Sequence, residues 1–309
     1  MPLCRPTLER LPGQTRGLPV SELQPSARVT IRLALTVRFA MLSSQVWFAM
    51  RLISLLTEGL SLSPSSADLA GANTIPRIHP CFRFLSQVGY SFVRPFLRHR
   101  IGRTVLERVE GLPLLVLPNV FNPALYRTGP LLVKALATLP APSSVPERGD
   151  AARALDMGTG SGLGAIFAAR MGYHVTAVDI NADAVRCARI NALQHHLEAC
   201  IEVRQGDLFE PVQGERFDLV LFNPPFFRGR PRNILDAAWR GSDVLERFAA
   251  ALPAALKPGG VGLIVLSTDG DGQALLQELE RIPMTIEVVR QRHFGNEIIT
   301  VYHVRSENR

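Results

Sequence analysis

Residues 153–172, RALDMGTGSGLGAIFAARMG, bound the fold more tightly than any other stretch. A short apolar run, Arg153 to Met157, leads into glycines at 158, 160, 162 and 164. A stretch of helical character follows and stops at Gly172. Glycine is required where backbone takes positive φ or comes close to a ligand. A glycine-rich turn from strand to helix also presents the unpaired N–H groups of a helix N-terminus. Such a unit places a ligand crevice at the carboxyl end of a strand in an open α/β sheet.

The rest of the chain fits that unit. Strands are expected at 174–180, 200–207, 217–223 and 261–267, and helices at 181–193, 242–260 and 272–282. Asn181 or Asp183 is placed to cap the helix over 181–193. Strands that read as continuous apolar runs and alternate with helices indicate a parallel sheet covered on both faces, with right-handed crossovers. The tail breaks the alternation. Residues 284–294 and 298–304 flank Gly295-Asn296-Glu297, a strand–turn–strand pattern that ends the sheet in an antiparallel hairpin. The predicted fold class is therefore α/β: a doubly wound, mostly parallel, seven-stranded Rossmann-like sheet. Upstream, 112–123 reads as a short β segment, 129–139 as a helix with Pro130 in its first turn, and 140–150 as a loop.

The acids in the sheet narrow the ligand. Asp156 lies inside the glycine turn, in a D-x-G-x-G-x-G pattern with Gly158, Gly160 and Gly162. A dinucleotide fingerprint is spaced G-x-G-x-x-G, and a carboxylate beside a pyrophosphate would be repelled. Beside an ammonium or sulfonium group it is favourable, which favours S-adenosylmethionine over NAD. Asp179 ends the next strand, where a carboxylate suits ribose hydroxyls. Asp207 ends the third strand, in position for the exocyclic amine of adenine, with Leu208 or Ile180 against the ring. Each acid alone fits a helix cap or a surface loop equally well. Three at the ends of successive strands converge on one crevice.

The fourth strand runs into Asn223-Pro224-Pro225-Phe226. Two prolines cannot donate to a ladder, so the strand stops there. A planar amide or exocyclic amine is a poor nucleophile because its lone pair is delocalised. The Asn223 side-chain oxygen and the Pro224 carbonyl are suited to accept its two N–H groups, with Phe226 stacked on the flat group and Phe227 beside it. Taken alone, the motif is equally a strand-ending turn. Beyond it, Arg228, Arg230, Arg232 and Arg240 fit either phosphate contacts or a solvated loop.

With these motifs in order, the chain resembles the class I S-adenosylmethionine-dependent methyltransferases over about residues 111–305, on LDMGTGSG, AVDIN, GDLF and NPPF. More narrowly it is similar to the HemK-like amino-methyltransferases, with VFNPALYRTGPLLVKAL (120–136) before the glycine loop. The resemblance implies that Asp156, Gly158, Gly160 and Gly162 hold the methionine part of the cofactor, that Asp179 takes the ribose, and that Asp207 and Leu208 take the adenine, with Thr159 and Ile180 also among the cofactor-binding residues. It gives Asn223, Pro224, Pro225 and Phe226 the acceptor nitrogen. Release-factor enzymes of that group usually carry Tyr where this chain has Phe226. The implied acceptor is a protein glutamine or a nucleic-acid base. The alternatives are an NAD-dependent oxidoreductase, which predicts NAD binding and no terminal hairpin, and a non-catalytic nucleotide-binding scaffold, against which the intact Asn223 motif argues.

Charge separates the first third of the 309-residue chain from the rest. Residues 1–110 hold 14 Arg/Lys against 6 Asp/Glu, and residues 111–309 hold 20 against 21. A basic arm suits nucleic acid or an anionic surface, or is simply a poorly ordered leader. The longest uncharged run in 31–60, Phe39 to Met50, has 12 residues, well short of the roughly 20 a spanning helix needs. The Arg-rich, acid-poor start equally fits an organelle transit peptide, part of a substrate domain, or an over-long start upstream of Met41 and Met50. The expected organisation is a basic extension and linker over 1–76, a helical and β lead-in over 77–150 with one or two helices in 77–110, and a catalytic domain over 151–309. The four cysteines show no CxxC pair and no metal-ligand spacing. No metal site is expected, and a reducing, cytoplasmic setting is.

Overall fold

The computed structural model describes residues 100–142, 151–232, 235–238, 240–294 and 297–306. Expectations for residues 1–99, including the basic extension, the linker and the helices of 77–99, lie outside the described residues. No described helix is long and apolar enough to cross a membrane.

In chain order the elements are β1 (Val105–Val109), β2 (Leu112–Val116), α1 (Thr128–Leu136), β3 (Arg153–Met157), α2 (Leu163–Arg170), β4 (His174–Asp179), α3 (Ala182–Gln194), β5 (Ile201–Gln205), β6 (Phe217–Phe222), the two-residue β7 (Phe227–Arg228) and β8 (Arg240–Gly241), α4 (Val244–Ala255), β9 (Leu256–Ser267), α5 (Gly272–Glu280), β10 (Met284–His293) and β11 (Ile298–Ser306). The central sheet has seven strands in the order β5-β4-β3-β6-β9-β11-β10. The first five are parallel, and β11 runs antiparallel to both β9 and β10. The predicted doubly wound sheet with a terminal hairpin is the observed one.

Strand alternation divides the core. Ala154, Val175, Ala177, Leu219, Leu221, Leu263, Ile299 and Val301 face one way, against α1, α2 and α3. Leu155, Met157, Val178, Val220, Phe222, Ile264, Tyr302 and Val304 face the other, against α4 and α5. Both faces are buried, which is why these strands read as unbroken apolar runs. The carboxyl ends of β3, β4, β5, β6 and β9 lie along one edge of the sheet, where a doubly wound fold opens its crevice.

Two expectations need correction. Helical spacing was expected up to residue 110, yet 105–109 is a strand paired antiparallel to β2. The turn at Glu110-Gly111 takes positive φ at both residues, which closes the strands into a hairpin. The helix expected over 242–260 ends at Ala255, and β9 starts at Leu256. Leu256 pairs with Phe217, the ladder then breaks, and it resumes at Val261 opposite Leu219. Pro258 and the positive-φ Gly259 bulge out between them and permit this.

The β1–β2 hairpin is stapled to the sheet through one side chain. The buried Asn191 of α3 accepts from the Leu115 N–H at 2.8 Å and donates to the carbonyls of Leu115 and Ser161, each at 2.8 Å. Sequence reading did not single out Asn191. An Asn inside an amphipathic helix reads as solvent-facing until its partners are known.

Candidate active site

The glycine turn is held in shape by two acids. Gly158, Gly160 and Gly162 all have positive φ. A Cβ on Gly160 would meet nothing within 4 Å, and one on Gly158 only the Phe222 ring at 4.0 Å, so the turn borders open space. Gly162 has no such room, because a Cβ there would meet Ala188 at 3.2 Å and the turn is closed onto α3. The Thr159 N–H donates to the Val178 carbonyl at 3.0 Å, which ties the turn to β4.

Asp156 does not face the open side. It is buried, and Oδ2 accepts from the Thr159 hydroxyl at 2.6 Å and from the Ala165 N–H at 2.8 Å. Oδ1 lies 2.5 Å from where a Cβ on Gly164 would be, so a glycine is needed there. Burial pushes the carboxyl up to about 6, held back by the Thr159 and Ala165 bonds. Asp156 thus locks the turn onto the first turn of α2, where an acceptor is favoured. Asp179 supports the turn from β4: Oδ2 accepts from Gly160 N–H at 2.8 Å and Oδ1 from Asn181 N–H at 2.9 Å. Burial raises its carboxyl and the two N–H bonds lower it. Next to it, Ile180 leaves 58% of its surface in solvent, which makes it an apolar platform at the crevice edge. Asn181 caps α3 by accepting from the Asp183 N–H at 2.9 Å.

Asp207 is engaged elsewhere. Its Oδ2 forms an ion pair with Arg247 of α4 at 2.8 Å. Leu208 beside it has φ of 48°, and its side chain packs against the α4–α5 side of the core. Spacing alone could not reveal Arg247, 40 residues away in the sequence.

The fourth strand delivers Asn223-Pro224-Pro225-Phe226 from a fixed base. Phe222 stacks on Phe248 of α4, with centroids 4.0 Å apart. Pro224 is buried and Phe226 half-buried. The Asn223 Oδ1 is a buried oxygen with no hydrogen-bond partner. Native structures rarely leave such a group unpaired without a functional reason. The Phe226 carbonyl accepts from the Asp271 N–H at 2.8 Å, and the Asp271 carboxylate accepts from the Arg228 N–H at 3.2 Å. A Cβ on Gly270 would lie 2.6 Å from the Phe226 oxygen. The turn after β9 therefore positions the motif, a support that sequence reading missed. Of the four arginines beyond it, Arg228 pairs with Glu246 and Arg240 with Asp236. Arg240 also lies over the Phe227 ring at 5.5 Å.

A cavity of about 670 Å³ lined by His174, Arg189, Glu198 and Glu202 opens at the amino ends of β4 and β5. It is lined by none of the candidate site residues above, which lie at the carboxyl ends of the strands.

Sheet order, terminal hairpin, glycine turn and acceptor motif together define the Rossmann-like methyltransferase class. Residues 114–294 match the family model of the methyltransferase small domain, and the chain belongs to that family. It is 31% identical over 193 residues to a putative protein N5-glutamine methyltransferase of Methanocaldococcus jannaschii, covering 60% of this chain and 90% of that one. It is 36% identical over 121 residues to a ribosomal RNA small subunit methyltransferase C of Alcanivorax borkumensis, covering 39% of this chain and 34% of that one. It is also 36% identical over 143 residues to a ribosomal protein uL3 glutamine methyltransferase of Bradyrhizobium diazoefficiens, covering 41% and 43%. The chain thus spans less than half the length of the last two relatives.

Proposed function

We propose that the protein transfers a methyl group from S-adenosylmethionine to the side-chain amide nitrogen of a protein glutamine. The observation that carries this reading is the unpaired, buried Asn223 Oδ1 at the end of β6.

The residues present fit the cofactor. Gly158 and Gly160 leave open backbone against the methionine part, and Thr159 lies between them. Asp179, its carboxylate oriented by Gly160 and Asn181, would hold the ribose, and the exposed Ile180 would offer an apolar face to the adenine. Asp207 reaches the adenine amine only by sharing its carboxylate with Arg247. Leu208 supports that turn from the core side. Asp156 acts at one remove, by setting the turn. The bound group supplies an electrophilic methyl on a sulfonium.

The chain's own task is alignment. Asn223 Oδ1 accepts one amide N–H and the Pro224 carbonyl the other, so the nitrogen lone pair turns toward the donor side. As positive charge builds on nitrogen, both oxygens stabilise it. Pro224 and Pro225 fix the backbone, and Phe226 stacks on the flat amide. The amide proton leaves to solvent after transfer.

Protein is favoured over nucleic acid because the charge of residues 111–309 is nearly balanced and two of the four arginines beside the motif already have carboxylate partners. A glutamine relative covered over 90% of its length points the same way. A base amine remains the second reading, favoured by the ribosomal RNA relative. The organisation we propose keeps 151–309 as the catalytic core, with 105–142 as its inner lead-in.

The test uses methyl-labelled cofactor and source-cell extract, split into protease-treated and nuclease-treated halves. Label lost to protease supports the reading, and label lost only to nuclease overturns the choice of protein. Asn223→Ala is expected to cut transfer by at least about 100-fold, with cofactor affinity kept. Transfer by that variant at wild-type rate would sink the site assignment.

A further inference from the structure

One group on the acceptor side has no part in the mechanism above. Glu297 immediately precedes β11, whose second residue, Ile299, pairs with Ser267 at the end of β9. The Ser267 hydroxyl donates to Glu297 Oε1 at 2.6 Å and accepts from the Asp269 N–H at 3.1 Å. The turn carrying Asp269 continues into Gly270 and Asp271, which hold the Phe226 carbonyl. Glu297 is thereby linked through one hydrogen-bonded turn to the acceptor motif, on the same edge of the sheet.

Its second oxygen has an ion-pair partner but no hydrogen bond. Oε2 has Arg127 at 3.7 Å, an ion-pair separation beyond hydrogen-bonding reach. The Arg127 guanidinium also lies over the Phe294 ring, 4.3 Å from its centroid. The Glu297 side chain is still 19% exposed, so the oxygen is within reach of a bound molecule. Burial, with Asp269 nearby, raises its carboxyl, while the Ser267 bond and Arg127 lower it. A part-buried carboxylate gains from an N–H donor. Asn223 Oδ1, at the end of β6, and Glu297 Oε2, beside the end of β9, are acceptors at the same edge of the sheet, and such a pair suits a molecule that presents several N–H groups.

We propose that Glu297 determines specificity for the acceptor: its Oε2 accepts a main-chain N–H of the polypeptide segment bearing the target glutamine, while Asn223 accepts from the target amide. This rests on the protein-methylating reading above.

Glu297→Gln tests it, because the amide keeps an oxygen for Ser267 and puts an NH2 where Oε2 was. Initial labelling rates are measured against increasing amounts of nuclease-treated source-cell extract. Losing a charged hydrogen bond is expected to raise the half-saturating extract concentration about tenfold, with maximal rate and cofactor affinity within about twofold. Glu297→Asp keeps the charge but shortens the reach, and is expected to fall between the two. It also serves as the informative variant if the glutamine form melts early. Saturation curves that overlay wild type for both variants would overturn the proposal. So would label found only in the nuclease-sensitive fraction, which would mean a nucleic-acid acceptor. No transfer by wild type into either fraction would instead remove the methyltransferase reading on which it rests.

Discussion

At the scale of the residue, two acids of the crevice, Asp156 buried and Asp179 half-buried, do different work with the same functional group. Asp179 spends its oxygens on backbone N–H groups at the open rim, whereas Asp156 is enclosed beneath the turn. The Asp156 carboxyl, raised from 3.8 to about 6, keeps its proton in the folded state at pH values between the two, where the unfolded chain has lost it. Its contribution to stability is therefore full below the unfolded value and is lost as pH rises through the folded one. A shift of about two units corresponds to roughly 3 kcal/mol. We expect Asp156→Asn to gain on wild type by that order between pH 4 and pH 7 in urea denaturation, and a pH-independent difference would contradict the assignment. Both acids were legible in the sequence as members of one crevice. Their division of labour was not, because it depends on which backbone N–H groups fold over each carboxylate. Asp207 shows the same limit: its position was readable, but its pairing with Arg247 depends on the fold bringing α4 to the turn after β5.

At the scale of the element, the acceptor loop is only as well placed as the turn behind it. The apolar strand and its proline stop were readable from Phe217 to Phe226. The fit of Gly270 under the Phe226 carbonyl was not, since a glycine 44 positions away carries no signal of its partner. Gly270→Ala must push that carbonyl aside. Misplacing a catalytic group by the order of an ångström costs up to about 100-fold. We therefore expect kcat to fall by about 10-fold to 100-fold in labelling assays, while cofactor affinity measured by calorimetry stays within about twofold. An equal loss in both would mean that the substitution disturbs the whole crevice. The strand at 105–109 and the early end of α4 were misread for related reasons. A positive-φ Glu110-Gly111 turn and the bulge at Pro258-Gly259 are tertiary solutions that periodicity does not report.

At the scale of the whole molecule, charge distinguishes the two acceptor classes. Within residues 111–309 acids and bases nearly cancel, and Arg228, Arg240 and Arg247 each face a carboxylate. A protein that grips a phosphate backbone through several cations loses about 10³-fold or more in affinity between 50 and 200 mM salt. For the full chain, if residues 1–110 with their surplus of eight basic groups take no part in acceptor binding, we expect the half-saturating extract concentration to change by less than about tenfold over that range. A steep loss would shift the reading toward nucleic acid. The balance was visible in the sequence, but the pairing that gives it meaning needed the fold.

Asn191 has a consequence for how such an enzyme can be adjusted. One side chain holds the Leu115 backbone of the outer hairpin and the Ser161 carbonyl of the glycine turn at once. Opening of the hairpin and loosening of the turn are therefore linked equilibria, and ligand that fastens one fastens the other. Substitutions on the solvent side of β1, such as at the exposed Leu106, are therefore expected to change cofactor affinity, as calorimetry would show. They act without altering any atom that the cofactor meets.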